Sequence, residues 1–260
     1  MKKILLVEGN LKEANQEFTE NGIKTHTESL QESISYYTNN LEIDSVNPSS
    51  DKDIFEKVKD LNKYEGLIWG GSSLNIYSDT KEIRRQIEFM KECQKRIKNI
   101  LAICWGMQVA VTAAGGVVNR GKNGAHRGIA HEIIINSDGL NHPIYKDKDK
   151  IFNTPAFNYD EVVTLPNNAI LLSSNKVNNV MALNFETEFS KIWGIQYHPE
   201  ITYEKMITLI KFRRERLLEN KSFSDEKDLE SHISMIENED KITKKESRMR
   251  ELKNWLDLIA

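Results

Sequence analysis

Three short apolar runs constrain this chain more than any other feature. Lys3 to Val7, Gly66 to Trp69 and Ile100 to Ile103 are each too short for a buried helix and the right length for a buried strand. Behind the second run, Ile83, Ile87, Met90 and Ile97 recur at helical spacing, with Lys81, Arg84, Arg85, Lys91 and Lys95 on the opposite side. Behind the third, a helix is expected over Trp105 to Ala114, stopped by Gly115-Gly116. The first run is followed by a polar segment, a helix over Ser29 to Tyr37 and a strand over Leu41 to Val46. Strands that alternate with helices of this size predict a mostly parallel sheet with helices on both faces.

From Ile129 to Phe189 the pattern changes to short β-like runs separated by turn signals such as Asp138-Gly139 and Leu165-Pro166-Asn167-Asn168. These predict an antiparallel extension of the same sheet. A last strand, Ile192 to Tyr197, runs into His198-Pro199-Glu200. After Pro199 neither glycine nor proline occurs again. A helix over Met206 to Leu218 should pack back on the sheet. The residues beyond it are rich in both charges, yet Leu229, Ile233 and Ile236, then Met249, Leu252, Leu256 and Ile259, form two amphipathic stripes. Ser224, followed by Asp225 and Glu226, reads as the N-cap of the first.

Composition narrows the function. The 260 residues carry a net charge of −3 at an isoelectric point near 6.1, which gives no electrostatic footprint for nucleic acid. Two cysteines, Cys93 and Cys104, argue against a disulfide scaffold and suit a reducing compartment. The apolar run at the N-terminus breaks at Glu8, too early for a signal peptide, and no stretch is long enough to span a membrane. The expected location is cytoplasmic.

The chemistry centres on Ala102-Ile103-Cys104-Trp105-Gly106-Met107-Gln108. A cysteine between a buried strand and a helix sits on a sharp turn with its sulfur presented, and Gly106 suits such a turn. The helix N-terminus places positive dipole character beside the sulfur, which favours thiolate. The Trp105 amide is placed to donate to an oxyanion. Alone, such a cysteine is more often a buried structural residue, which is how Cys93 reads. His198 and Glu200 change the balance. Two apart on an extended segment, they point the same way, so the carboxylate can orient an imidazole whose other nitrogen faces sulfur. Gly70-Gly71-Ser72-Ser73 follows a strand and lets a backbone N–H approach a ligand; Gly71 paired with Trp105 would make an oxyanion hole. A plain turn is the commoner meaning of Gly-Gly by itself. The missing Lys-Ser/Thr ending speaks against a phosphate loop. His126, His131 and His142 lack ligand spacing, so neither metal nor other cofactor is expected.

Gly70-Gly71-Ser72-Ser73, the Cys104 segment and Gly194-Ile195-Gln196-Tyr197-His198-Pro199-Glu200 together resemble the three signatures of class I (triad) glutamine amidotransferases, the free-standing GMP-synthase-like subgroup above all. The resemblance implies a flavodoxin-like three-layer α/β/α fold with a central, mostly parallel (mixed) sheet over residues 1–215, followed by a charged amphipathic helical tail over 216–260. It also implies hydrolysis of the glutamine side-chain amide through a Cys104 γ-glutamyl thioester, with His198 as acid and base and Glu200 orienting it. Gly71 and Trp105 match the oxyanion positions. Gln108, Gly70 and Gly128 match substrate-binding positions. The sequence departs from the pattern at Ala102, at Ser72 where Pro often stands, and at Asn158, where the family often carries His.

The chain holds no segment large enough for an ATP-using synthetase after its catalytic part. Three roles therefore compete: an amidotransferase passing ammonia to a separate synthetase subunit, a stand-alone hydrolase of γ-glutamyl amides or peptides, and a non-catalytic binding module. The tail could pack on its own domain, form a homodimer or cover a partner; its apolar stripes favour packing over disorder.

Overall fold

Strand β1 (Lys2–Val7) alternates Ile4 and Leu6 on one face with Leu5 and Val7 on the other, all almost wholly buried. A strand apolar on both faces needs a layer on each side. The computed structural model describes residues 1–259, without the side chains of Lys57 and Val58. It provides both layers. Ile4 and Leu6 pack with Leu30 and Ile34 of α2 (His26–Tyr37), the helix after α1 (Lys12–Glu20); Leu5 and Val7 join the cluster that holds Ile83, Phe89 and Met90 of α3 (Lys81–Gln94).

The sheet continues through β2 (Leu41–Val46), β3 (Gly66–Trp69), β4 (Asn99–Ile103), β5 (Ala130–Ile135), β6 (Ile151–Thr154), β7 (Ile170–Ser174), β8 (Ala182–Glu186) and β9 (Lys191–Ile195). Its order is β2-β1-β3-β4-β9-β8-β7-β5-β6. The first five are parallel and the rest antiparallel, which is the mixed sheet expected from the change of pattern after Ile129. Helix α4 (Trp105–Ala113) follows β4, so the carboxyl ends of β3, β4 and β9 converge where α4 begins. In open α/β sheets this edge is where ligands bind.

The helix expected from Met206 is two, α5 (Tyr203–Phe212) and α6 (Arg214–Glu219), broken at Arg213, whose guanidinium turns to donate to Ser73 Oγ at 2.9 Å. Helix α2 starts earlier than expected, because Thr25 and Glu28 form a reciprocal capping box. Beyond residue 219, α7 (Glu226–Ile242) is capped by Asp225 rather than Ser224: the Asp225 carboxylate accepts Asp228 N–H at 2.9 Å, while Ser224 donates to Asp228. Two further helices, α8 (Lys245–Arg248) and α9 (Arg250–Ile259), end the described chain. Their stripe is not exposed. Met249, Leu252, Trp255, Leu256 and Ile259 lie in the same cluster as Ile4, Leu6 and Leu101. Burying each contributes about 2 kcal/mol. Trp255 fits because Gly66 has no side chain; a Cβ there would meet its ring at 2.7 Å.

Candidate active site

Cys104 joins β4 to α4 with φ 52° and ψ −105°, a left-handed backbone that a cysteine adopts only when its surroundings impose it. Two hydrogen bonds impose it here: Cys104 N–H donates to Ile195 O at 2.7 Å, and Gly106 N–H donates to Gly70 O at 3.1 Å. The second bond brings α4 against β3, and a Cβ on Gly106 would lie 2.3 Å from Trp69 O. The turn therefore requires glycine two residues after the cysteine. The Trp105 indole N–H donates to Gln86 at 2.7 Å, and Gln86 in turn donates to Gly9 O, so the first turn of α4 is locked to α3 and to the segment after β1. Gln196 donates to Cys104 Sγ at 3.4 Å, and Gln108 donates to Gln196 at 3.4 Å.

His198 and Glu200 follow β9. His198 Nδ1 and Glu200 Oε1 are 2.8 Å apart and both side chains are buried. Burial alone would lower the His198 pKa; the facing charges of Glu200 and Cys104 outweigh it and carry it up to about 10. The imidazole is thus held in its charged form beside sulfur. Gly71 lies against it: a Cβ there would fall 2.8 Å from His198 Cε1. The structure brings together Cys104, Trp105, Gly70, Gly71, Gln108, His198 and Glu200. Gly128 lies apart, with φ +91° and packed against Ile210 and Ile236.

Cys104, Trp105 and Gln108 line a cavity of about 260 Å³ that leads out past Arg120, Arg213, Arg216 and Asn220. Asp160 also lines it, held by Asn75 at 2.9 Å and Tyr77 at 3.1 Å; burial raises its pKa against these donors. Two small antiparallel pairs place these walls: Val117–Arg120 with Asp160–Thr164, and His126–Arg127 with Phe157–Asn158. Asn158 lies with its Oδ1 2.8 Å from His126 Nδ1 and donates to Asp160 O at 2.9 Å.

Several residues at the site were invisible in the sequence. His26, first in α2, stacks on His198 with ring centroids 5.5 Å apart and 23° between planes. The one local signal of a helix start there, the Thr25–Glu28 capping pair, lies upstream of the helix expected from Ser29. Lys205 and Arg213 reach the same pocket from α5 and its end, with pKa values lowered by burial to about 8 and about 10. From the far terminus, Arg248 Nη1 donates to Pro199 O and, at 2.8 Å, to Ile201 O, the carbonyls on either side of Glu200. Ser33 Oγ donates to Glu200 O at 3.2 Å. Tyr197 donates to Glu251 at 2.8 Å, and Glu251 pairs with Lys148 at 3.0 Å, all three buried. Among the described residues, metal-ligating atoms converge at His26, His198 and Glu200, within 4.8 Å of one another; the Lys205 and Arg213 charges beside them oppose a cation.

A cysteine on a strand–helix turn, an imidazole and a carboxylate thus meet at the carboxyl edge of a sheet covered on both faces. The chain belongs to the class-I glutamine amidotransferase family, whose model matches residues 23–214. It is similar to a γ-glutamyl-L-1-hydroxyisopropylamide hydrolase of Pseudomonas, 29% identical over 77% of this chain and 74% of that protein. It is also similar to γ-glutamyl peptidase 4 of Arabidopsis thaliana, 30% identical over 60% of this chain and 61% of that one. A glutamine-hydrolyzing GMP synthase subunit of Methanosphaera stadtmanae is 28% identical over 57% of this chain and 72% of its own length. A crystal structure of a glutamine amidotransferase from Thermotoga maritima shares the fold, with a TM-score of 0.68 over 99% of this chain and 97% of that one at 18% identity.

Proposed function

We propose that this protein hydrolyses γ-glutamyl amides on its own, with Cys104 as nucleophile. The observation that carries the reading is the cavity: the sulfur stands at its buried end, both signs of charge line it, and its other end is bordered by the exposed Arg216 and Asn220. The head of a γ-glutamyl group is an ammonium beside a carboxylate, and Asp160 with the arginines complements both. The open end accommodates an amine larger than ammonia.

In this reading the Cys104 thiolate adds to the γ-carbonyl carbon, and its oxygen takes the negative charge against the Gly71 and Trp105 amides. The C–N bond then breaks as His198 gives its proton to the departing amine, leaving a γ-glutamyl thioester. Neutral His198 takes a proton from water; the hydroxide adds to the thioester, the C–S bond breaks, and glutamate leaves with thiolate and imidazolium restored. Glu200 keeps His198 oriented throughout, as the 2.8 Å contact supports.

A second reading is favoured by the likeness to the GMP synthase subunit of Methanosphaera stadtmanae: the same steps on glutamine, with ammonia passed to a separate synthetase. Glutamine and γ-glutamyl-L-1-hydroxyisopropylamide, compared with the purified protein alone, separate the two. The expected result is a kcat/KM at least about tenfold higher for the amide, abolished in Cys104→Ala; each tenfold is about 1.4 kcal/mol of transition-state binding. Preference for glutamine would overturn the first reading, and undiminished turnover in Cys104→Ala would overturn both.

A further inference from the structure

The carboxylate of Glu200 is only half used. Oε1 faces His198, whereas Oε2 is buried without a hydrogen-bond partner among the described residues. Beside it, His26 Nδ1 is also buried and without a partner, 4.0 Å from Oε1. An acceptor and a group able to donate thus lie on neighbouring buried side chains, and a shift of about 1 Å would bring Nδ1 within hydrogen-bond distance of the carboxylate. A buried carboxylate rarely leaves an oxygen unsatisfied without a functional reason.

The surroundings hold His26 in place. A Cβ on Gly71 would lie 2.6 Å from His26 Cε1, and one on Gly70 would lie 3.0 Å from His26 Cβ. The glycine pair that forms one side of the oxyanion turn therefore also clears the ring's space. The helix that carries His26 is tied to the end of β1: Thr27 N–H and Thr27 Oγ1 both donate to the buried Glu8. The groups that face the ring are His198 and Glu200 across the stack and Lys205 and Arg213 from α5 and its end. Burial, then the charges of His198, Lys205 and Arg213, keep His26 neutral, so it carries one ring proton and can offer it from Nδ1.

We propose that His26 is a fourth member of the catalytic relay, a positioning residue whose Nδ1–H donates to the Glu200 carboxylate and whose ring fixes the plane of His198. The role follows from the charge that moves during the reaction. When His198 is the imidazolium, Glu200 must remain an anion aimed at its Nδ1, and a second donor on the carboxylate holds that aim without competing for the proton. The stacked ring removes the freedom of His198 to rotate out of line with sulfur. Being neutral, it achieves this without adding a charge next to the imidazolium.

The inference rests on the hydrolase reading for its catalytic meaning, so its test is made independent of substrate. Alkylation of Cys104 by iodoacetamide reports the thiolate–imidazolium pair whatever the protein hydrolyses. His26→Phe keeps a ring on His198 and cannot donate; His26→Asn presents an amide N–H near the position of Nδ1. The expected result is an alkylation rate at pH 7 reduced about fivefold in His26→Phe, with the half-maximal pH moved upward, and at least half restored in His26→Asn. In turnover, the same variants should change kcat with KM held within twofold. Thermal unfolding of each variant reports its folding, and a His26→Phe protein that does not fold leaves His26→Asn against His26→Ala as the deciding pair. Wild-type alkylation in the folded non-donating variant, or equal loss in both members of the pair, overturns the proposal. Normal alkylation profiles without turnover of any γ-glutamyl compound would overturn the hydrolase reading instead.

Discussion

Replacing Arg248 by Met tests whether the C-terminal helices belong to the catalytic apparatus. Arg248 is 6% exposed and its guanidinium donates to Pro199 O and Ile201 O, so it holds both peptide carbonyls around Glu200. Methionine keeps most of the apolar stem and removes both donors. A hydrogen bond from a charged group is worth about 1.5–3 kcal/mol, and a buried carbonyl left without its donor costs about 1–3 kcal/mol. Part of this is recovered because a desolvated cation is no longer buried. The net destabilisation is about 3 kcal/mol, which for a chain of this size lowers the melting temperature by about 6–12 °C. The loop is also released at the residue that orients His198, and a misplacement of about 1 Å can cost about 100-fold in rate. We therefore expect kcat to fall by about 10- to 100-fold below the melting transition, with KM little changed and Arg248→Lys recovering part of the loss. Calorimetry and steady-state kinetics on a γ-glutamyl anilide measure the two effects. A variant that melts within about 2 °C of the wild type and turns over within twofold of it would refute the coupling.

Two further perturbations act on the Cys104 turn and on the His198–Glu200 pair. Gly106→Ala places a methyl group 2.3 Å from Trp69 O, which forces α4 away from β3 and should cost about 1–3 kcal/mol in a urea melt together with most of the Cys104 reactivity. The His198 pKa, raised to about 10, makes stability fully present below the ordinary histidine value near 6.5 and progressively lost as pH rises from there through about 10. Glu200→Gln removes one of the charges that raises it, so melting temperatures taken at pH 6.5 and 9.5 should differ less in that variant than in the wild type; an equal difference would count against the His198–Glu200 coupling.

The parts of the site legible in the sequence are those whose geometry is local. Cys104 and Gly106 are fixed by one turn between a strand and a helix, and His198 and Glu200 by one extended tripeptide, so the two local patterns in combination marked them as candidates. The mixed sheet was legible for the same reason, since the switch from βα alternation to short runs after Ile129 is a local pattern. His26 was not legible because nothing near it in sequence speaks of His198; the contact exists only once β1, β3, β4 and β9 lie side by side. Gly70-Gly71 reads as a place where backbone approaches a ligand; what the structure adds is that His26 and His198 packed against Gly71 forbid a side chain there. The break at Arg213 had no breaker residue to signal it, since a contact to Ser73 from a different part of the chain accompanies it.

In the tail, the apolar stripe predicts packing, and hydrophobicity of that kind specifies no single register. The polar groups inside the interface do. Lys148 and Glu251 form a buried pair, Glu251 accepts from Tyr197, and Asn254 donates to Ile144 O and Lys146 O at 2.8 and 2.9 Å. Such a pair adds little net stability, because desolvating two charges offsets most of their attraction; burial lowers the Lys148 pKa against Glu251 for that reason. What it does is penalise every other register, since a slip of one residue would leave a buried ammonium and carboxylate unmatched. The register it selects is the one that sets Glu251 on Tyr197, immediately before His198, and Arg248 on the carbonyls around Glu200. The polar contacts that fix the terminal helices are therefore the same ones that touch the segment carrying His198 and Glu200, so the expected loss in Arg248→Met is a test of whether docking of the tail aligns that pair.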